Sequence, residues 1–185
     1  DYLVVLGTTG ETATLSDNEK KHLISTVVKH NAGRIPLVIG IGGNNTNQVI
    51  KIINSTDLSP FVAILSVTPY YNKPNQEGLY LHFGAIAKNS SLPIILYNVP
   101  SRTGVNLLPQ TVLRLANDFT KIVAIKEAAG DFKQAQTLLK ICPGDFCILS
   151  GDDETSLSIL LAGAKGVISV IGNAIPEEFS KVVYH

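Results

Sequence analysis

The sequence has no methionine, only two cysteines, no surplus of either charge and no apolar run of membrane-spanning length. Each absence narrows the reading. A chain without methionine that begins at the edge of an apolar run is expected to have further residues ahead of Asp1. Fifteen basic residues against fifteen acidic ones leave no net field to gather nucleic acid or anionic lipid, so neither is an expected partner. Without a long apolar stretch no bilayer span is expected either, which leaves a small molecule or another protein. Cys142 and Cys147, in or beside apolar segments, do not form a disulfide framework and predict a reducing compartment, the cytoplasm. His22, His30, His82 and His185 are scattered without ligand spacing; each is expected on a helix surface or at the terminus, and no metal site is predicted. No Gly-x-Gly-x-x-Gly turn follows the first apolar run, which argues against a dinucleotide-binding fold.

Apolar side chains make up 45% of the residues and charged ones 16%, a balance that rules against disorder and suits a single domain over residues 1–185 with a substantial core. Apolar, β-branched runs of strand length recur at Leu3–Leu6, Leu37–Ile41, Phe61–Val67, Ile94–Tyr97, Ile122–Lys126, Phe146–Ser150 and Gly166–Val170. Their spacing, about 20 to 35 residues, is that of successive βα units. Helical periodicity fills the intervals. Ser16 followed three residues later by Glu19 reads as a capping box, and Leu23, Ile24, Val27 and Val28 then fall on one stripe. Strands apolar on both faces alternating with helices indicate a parallel sheet covered by helices, and the best fit is a (β/α)8 TIM barrel of the α/β class. Seven strands are visible where eight are needed. The chain is therefore expected to be an incomplete barrel that lacks the first strand and the C-terminal helices. Gly40-Ile41-Gly42-Gly43 could bring backbone close to a ligand, but ordinary strand-to-helix geometry is the favoured reading.

Lys126 ends the run Ile122-Val123-Ala124-Ile125 and so places an amine at the rim of a hydrophobic core. Desolvation there lowers the pKa of an ammonium and makes the amine a nucleophile toward carbonyls. The plainer alternative is a lysine that lays its stem on the core and keeps its head in water. Side chains alternate along a strand, so Ala124 and Lys126 share one face, as do Ile95 and Tyr97 on the neighbouring run. If that face is the barrel interior, amine and phenol converge, and a tyrosine held by its neighbours shuttles protons. Gly7-Thr8-Thr9-Gly10-Glu11 offers backbone N–H groups and two hydroxyls suited to a carboxylate, or else a helix-entry loop. Arg102, on the loop after the tyrosine run, carries a guanidinium able to fork onto a second carboxylate; Pro100 before it and Thr103-Gly104 after it aim that loop.

Gly-Thr-Thr-Gly-Glu, Pro69-Tyr70-Tyr71-Asn72-Lys73-Pro74, Tyr-Asn-Val-Pro-Ser-Arg-Thr-Gly and Ile-Lys-Glu-Ala occur in that order, followed by Ser150-Gly151-Asp152-Asp153 and Gly166-Val167-Ile168-Ser169-Val170. Through these motifs the whole chain closely resembles the dihydrodipicolinate synthase family of pyruvate-dependent class I aldolases. The resemblance implies a lyase that condenses pyruvate with L-aspartate 4-semialdehyde in lysine and diaminopimelate biosynthesis, with no cofactor. It implies that Lys126 forms the Schiff base, and that Tyr97, Thr8 and Tyr71 form a proton relay. Thr9 then binds the pyruvate carboxylate, Arg102 that of the semialdehyde, and Gly151 and Ile168 line the pocket. Tyr71 would reach a neighbouring subunit's site, which implies a homodimer, paired into a homotetramer; a loop aromatic packed on its own barrel would need no partner.

By the same resemblance a lysine effector site would involve Thr12, Ala13, Asn44, Gln48 and Tyr70. Inhibited relatives commonly carry a histidine where this chain has Lys20 and an acid where it has Gln48. A lost carboxylate and an added cation both oppose binding of an ammonium, so feedback inhibition is expected to be weak or absent. Two other readings keep the fold: a related pyruvate aldolase, such as N-acetylneuraminate lyase or a keto-sugar-acid aldolase, and a non-catalytic small-molecule sensor. The Arg102 loop with Thr8-Thr9 speaks against the aldolases, and the presence of Lys126, Tyr97, Tyr71 and Thr8 together speaks against the sensor.

Overall fold

In the computed structural model, which describes residues 1–184, seven strands form one parallel sheet in chain order. They are β1 (Leu3–Val5), β2 (Leu37–Gly40), β3 (Ala63–Val67), β4 (Ile94–Asn98), β5 (Ile122–Glu127), β6 (Cys147–Ser150) and β7 (Gly166–Val167). Helices fill the intervals: α1 (Asp17–Asn31), α2 (Thr46–Ser55), α3 (Gln76–Asn89), α4 (Pro100–Thr103), α5 (Pro109–Asp118), α6 (Phe132–Ile141) and α7 (Asp153–Leu161), with α8 (Pro176–Tyr184) after the last strand. Each strand pairs with the next, and among the described residues neither β1 nor β7 has a second neighbour. This is the curled, incomplete barrel expected of seven apolar βα units.

The apolar side chains sort into two clusters, one on each face of the sheet. Leu37, Ile39, Ile64, Ile94, Leu96, Ile125 and Ile148 point outward and pack against helix residues such as Val49, Phe83, Leu115 and Leu138. Val38, Ala63, Leu65, Ile95, Tyr97, Ala124, Leu149 and Ile168 come from strands and strand ends alone and make the inner cluster. Full burial of each large aliphatic chain contributes roughly 1.5–3 kcal/mol, so a register slip that swapped the faces would be very costly.

Helix starts follow the predicted chemistry. Ser16 and Glu19 form the capping box of α1, and Asn45, Asn75 and Asp131 cap α2, α3 and α6 with side-chain oxygens. Two expectations need correction. His82 is buried, not on a helix surface, because it falls on the inward stripe of α3 with Leu79, Phe83 and Ile86. Its Nδ1 lies 2.8 Å from Thr46 Oγ1, and burial pushes its pKa down to about 4. His22 and His30 are exposed as expected, and His185 lies outside the described residues. The other correction is to the plain alternation read along Ile122–Lys126, which would put Val123 and Ile125 on one face: Val123 is exposed where Ile125 is fully buried.

Candidate active site

The register between β4 and β5 shifts by one residue: Ile94 pairs with Ile122, but Ile95 pairs with Ala124. Val123 is the extra residue, a bulge that carries its side chain out of the ladder. Its consequence is chemical. Ile122 belongs to the outer cluster and Ala124 to the inner one, so the bulge exchanges the faces of everything after it. Tyr97 is thereby paired with Lys126, and both turn into the barrel. An unbroken ladder from Ile94–Ile122 would have set Ile125 beside Tyr97 and turned the amine toward the helices.

Lys126 Nζ stands 4.3 Å from the centroid of the Tyr97 ring, with the lysine 7% and the tyrosine 6% exposed. The surface-lysine alternative is thus set aside. Burial pushes the Lys126 pKa down to about 8; the Asp153 carboxylate pulls it partly back, and the Arg102 guanidinium adds to the fall. Both side chains therefore lie within electrostatic reach of the amine. Gly151 forms the wall on the β6 side. A methyl group there would come within 2.6 Å of Lys126 Cε, 2.7 Å of its Cγ and 2.9 Å of Ala128 Cβ.

The shifted pKa sets two pH dependences. Below about 8 folded and unfolded chains both hold the Lys126 proton, and folding carries the whole cost of burying it, roughly 3 kcal/mol. Between about 8 and 10.5 the folded chain loses the proton first, so stability rises with pH, and above 10.5 the cost is gone. Reaction at the amine needs its neutral form, so kcat/KM for a carbonyl substrate should climb to a plateau with a midpoint near 8. A profile still rising tenfold per unit at pH 9.5 would contradict an unusually acidic ammonium.

Arg102 lies in α4, a single turn with Pro100 at its start and Gly104 at φ 70° as its left-handed cap. The loop is a short helix, with Arg102 and Thr103 N–H donating to Val99 O at 3.0 and 3.1 Å. Ile168 is 8% exposed and packs in the inner cluster with Tyr97 and Leu149. Thr8 and Thr9 stand exposed at the rim in a 3-10 turn, Thr8–Gly10. Leu6 ahead of that turn has φ 59°, and Thr12 Oγ1 fixes it by donating to Leu6 O and Gly7 O, both at 2.9 Å. The Leu6 carbonyl lies 2.2 Å from where a Gly40 Cβ would be, so the Gly40 run serves chain packing.

Tyr71 is not gathered to the amine. It is 88% exposed, at φ 72°, on a loop tied to the β2–α2 connection by Asn72 Nδ2 donating to Asn44 O at 3.2 Å. Tyr70 beside it is 43% exposed, and Ala13 and Gln48 are exposed as well. Among the described residues no group of three or more His, Cys, Asp or Glu is placed to hold a metal ion. No helix there is long and apolar enough to cross a membrane.

Two features had no place among the predicted site residues. One is Asp153, whose Oδ2 accepts from Val170 N and Ile171 N at 3.0 and 2.8 Å and so joins α7 to the segment that follows β7 and Ile168. The other is a buried polar network behind the amine, in which Glu127 accepts from Asn98, Gln134 and Ala129. The alternation rule held the signal for the latter: if Tyr97 and Lys126 face inward, Asn98 and Glu127 must face each other on the outside.

Residues 1–185 match the sequence profile of the dihydrodipicolinate synthetase family. The chain is 58% identical over 183 residues to the 4-hydroxy-tetrahydrodipicolinate synthase of Flavobacterium psychrophilum, covering 99% of this chain and 62% of that protein. The enzyme of the same name from Azobacteroides pseudotrichonymphae matches with the same identity and coverage. Among solved structures, the chloride-inhibited dihydrodipicolinate synthase of Acinetobacter baumannii complexed with pyruvate matches with a TM-score of 0.95 at 44% identity, over 100% of this chain and 63% of that one. The dihydrodipicolinate synthase of Aquifex aeolicus gives 0.94 at 40% identity, over 100% and 63%. The chain thus spans a little under two thirds of the length of the relatives it matches.

Proposed function

This chain belongs to the dihydrodipicolinate synthetase family, and from that premise we propose that the protein condenses pyruvate with L-aspartate 4-semialdehyde through an imine on Lys126. One observation carries the reading: the buried amine 4.3 Å above the Tyr97 ring, with its pKa lowered to about 8. Neutral Nζ attacks the ketone carbon of pyruvate, the carbonyl oxygen leaves as water, and a protonated imine remains. That cation withdraws electrons from the methyl group, which gives up a proton through Tyr97 to become an enamine carbon. The enamine attacks the aldehyde carbon, and the aldehyde oxygen takes a proton to become the hydroxyl of the product. Attack by the substrate's own amine on the imine carbon closes the ring and returns Lys126. The product is 4-hydroxy-tetrahydrodipicolinate, the committed intermediate toward diaminopimelate and lysine.

In this scheme Thr8 and Tyr71 complete the proton relay, Thr9 binds the pyruvate carboxylate and Arg102 that of the semialdehyde. The reach of Arg102 to Lys126 supports its role, since both carboxylates must stand near one amine. Gly151 and Ile168 shape the wall. The 88% exposure of Tyr71 supports its use by a neighbouring subunit in a homodimer, paired into a tetramer. Two free thiols, Cys142 and Cys147, support work in the cytoplasm.

A coupled assay tests the reading. Turnover is expected with pyruvate and L-aspartate 4-semialdehyde and not with N-acetylneuraminate or keto sugar acids; the reverse preference would make it a different pyruvate aldolase, and no turnover with any of them would favour a sensor. Lysine titrated into the same assay at saturating pyruvate should leave the rate unchanged through the micromolar range. Exposed Gln48 supplies no carboxylate for an effector's ammonium at the site of Thr12, Ala13, Asn44 and Tyr70, so micromolar inhibition would defeat that part.

A further inference from the structure

Glu127 is 2% exposed, and no basic side chain pairs with its carboxylate among the described residues. Neutral donors hold it instead. Asn98 Nδ2 donates to both of its oxygens at 3.1 Å, Gln134 Nε2 to Oε2 at 3.0 Å and Ala129 N–H to Oε1 at 2.8 Å. A carboxylate accepts from all of these at once, while a protonated or amide group turns a donor toward another donor. Burial raises the Glu127 carboxyl above its ordinary range and the Asp131 carboxylate adds to the rise; the donors from Gln134, Asn98 and Ala129 offset only part of it. A charge kept in the core without a counter-ion costs stability, so its use is to be sought in what it orders.

What it orders is the stretch after Arg102. Asn98 Nδ2 and Gln134 Nε2, the donors to Glu127, also donate to Asn106 Oδ1 at 2.8 and 3.0 Å. Asn98 Oδ1 accepts from Leu107 N at 2.9 Å, and Asn106 Nδ2 donates to Gln134 Oε1 at 2.9 Å. Gln76 Nε2 on α3 donates to the Asn106 carbonyl at 2.8 Å. The segment carrying Arg102 therefore has two anchors. One is Val99, which accepts from Arg102 and Thr103; the other is Asn106-Leu107, held by the carboxylate network. Lys126 is held separately, by the β-ladders on both sides, the Tyr97 ring and the Gly151 wall.

We propose that Glu127 is a positioning residue whose carboxylate, through Asn98, Gln134 and Asn106, sets where Arg102 stands opposite Lys126. The proposal rests on the condensation reading and names which substrate the network serves: the amino-aldehyde whose carboxylate Arg102 binds, not pyruvate. A residue needed only for folding would weaken handling of both substrates alike.

The test is Glu127→Gln in the full chain, with each substrate followed separately. KM for L-aspartate 4-semialdehyde should rise about tenfold, while KM for pyruvate and borohydride trapping of pyruvate stay within about twofold. In the Arg102→Ala background the same change should raise that KM no further, because the effect passes through Arg102. Asn106→Ala removes the side-chain link between that stretch and the network while leaving Glu127 all of its donors, and it should reproduce the split if Glu127→Gln does not fold. Parallel losses for both substrates, an unchanged KM for the semialdehyde, or effects additive with Arg102→Ala would overturn the proposal. Failure of the unaltered protein to trap pyruvate would remove the condensation reading and this proposal with it, an outcome recognisable because it involves no variant.

Discussion

Lys126→Ala is expected to lower kcat by on the order of 10⁴-fold or more and to abolish the pyruvate imine, the scale on which loss of a catalytic nucleophile acts. In the proposed mechanism the nitrogen of Lys126 forms the bond to pyruvate and, as the imine, takes up the electrons left when the methyl group loses its proton. No described neighbour replaces it: Tyr97 presents its ring face to the amine, and the delocalised guanidinium of Arg102 is no nucleophile. Folding should not suffer, since removing a buried ammonium relieves the desolvation that brings its pKa to about 8. An inactive variant with a thermal midpoint at or above that of the parent at pH 7 is the expected combination. A variant within tenfold of the parent rate would show that the chemistry lies elsewhere.

Gly151→Ala should cost about two orders of magnitude in rate through a single methyl group. Gly151 N–H donates to Glu127 O at 2.8 Å, which fixes its backbone against the end of β5. The new Cβ would fall within 2.7 Å of Lys126 Cγ and 2.9 Å of Ala128 Cβ, too near the roots of those side chains for a terminal rotation to relieve. Overpacking of this kind costs about 1–3 kcal/mol, and a displacement of roughly 1 Å at a reacting atom costs on the order of 10² in rate. The expected result is a fall of about 10²-fold in kcat with a thermal midpoint a few degrees lower. Gly144→Ala is the control, because nothing lies within 4 Å of its Cβ position. Equal and near-parental activity in both variants would mean that the amine does not depend on that wall.

Most strands could be read from the sequence because a parallel sheet covered on both faces demands unbroken apolar runs, and such runs have few other uses. Their ends were less legible. Leu6 left the first strand through a positive φ, and the last run paired over Gly166–Val167 alone. The short helix around Arg102 lacked the length that periodicity detects, and the helix at Pro176–Tyr184 was missed although Phe179, Val182 and Val183 lie at helical spacing. Lys126 and Tyr97 were legible as a converging pair, yet the bulge at Val123 that makes them converge leaves no mark in one sequence: Ile122-Val123-Ala124 reads as plain strand. His82 was misplaced because a polar side chain on a buried stripe is visible only once the stripe's direction is known. The Glu127 network stayed hidden for a related reason. Its members, Asn98, Asn106, Glu127 and Gln134, are ordinary polar residues until folding brings them together around one carboxylate.

The proposed function stands on one sheltered, readily deprotonated amine condensing with a keto acid. Incubating the full-length protein with pyruvate, reducing with borohydride and mapping the peptides by mass tests it most directly. The expected result is the mass of a reduced pyruvyl adduct on Lys126 and on no other lysine. Label on a different residue, or none at all, would contradict it.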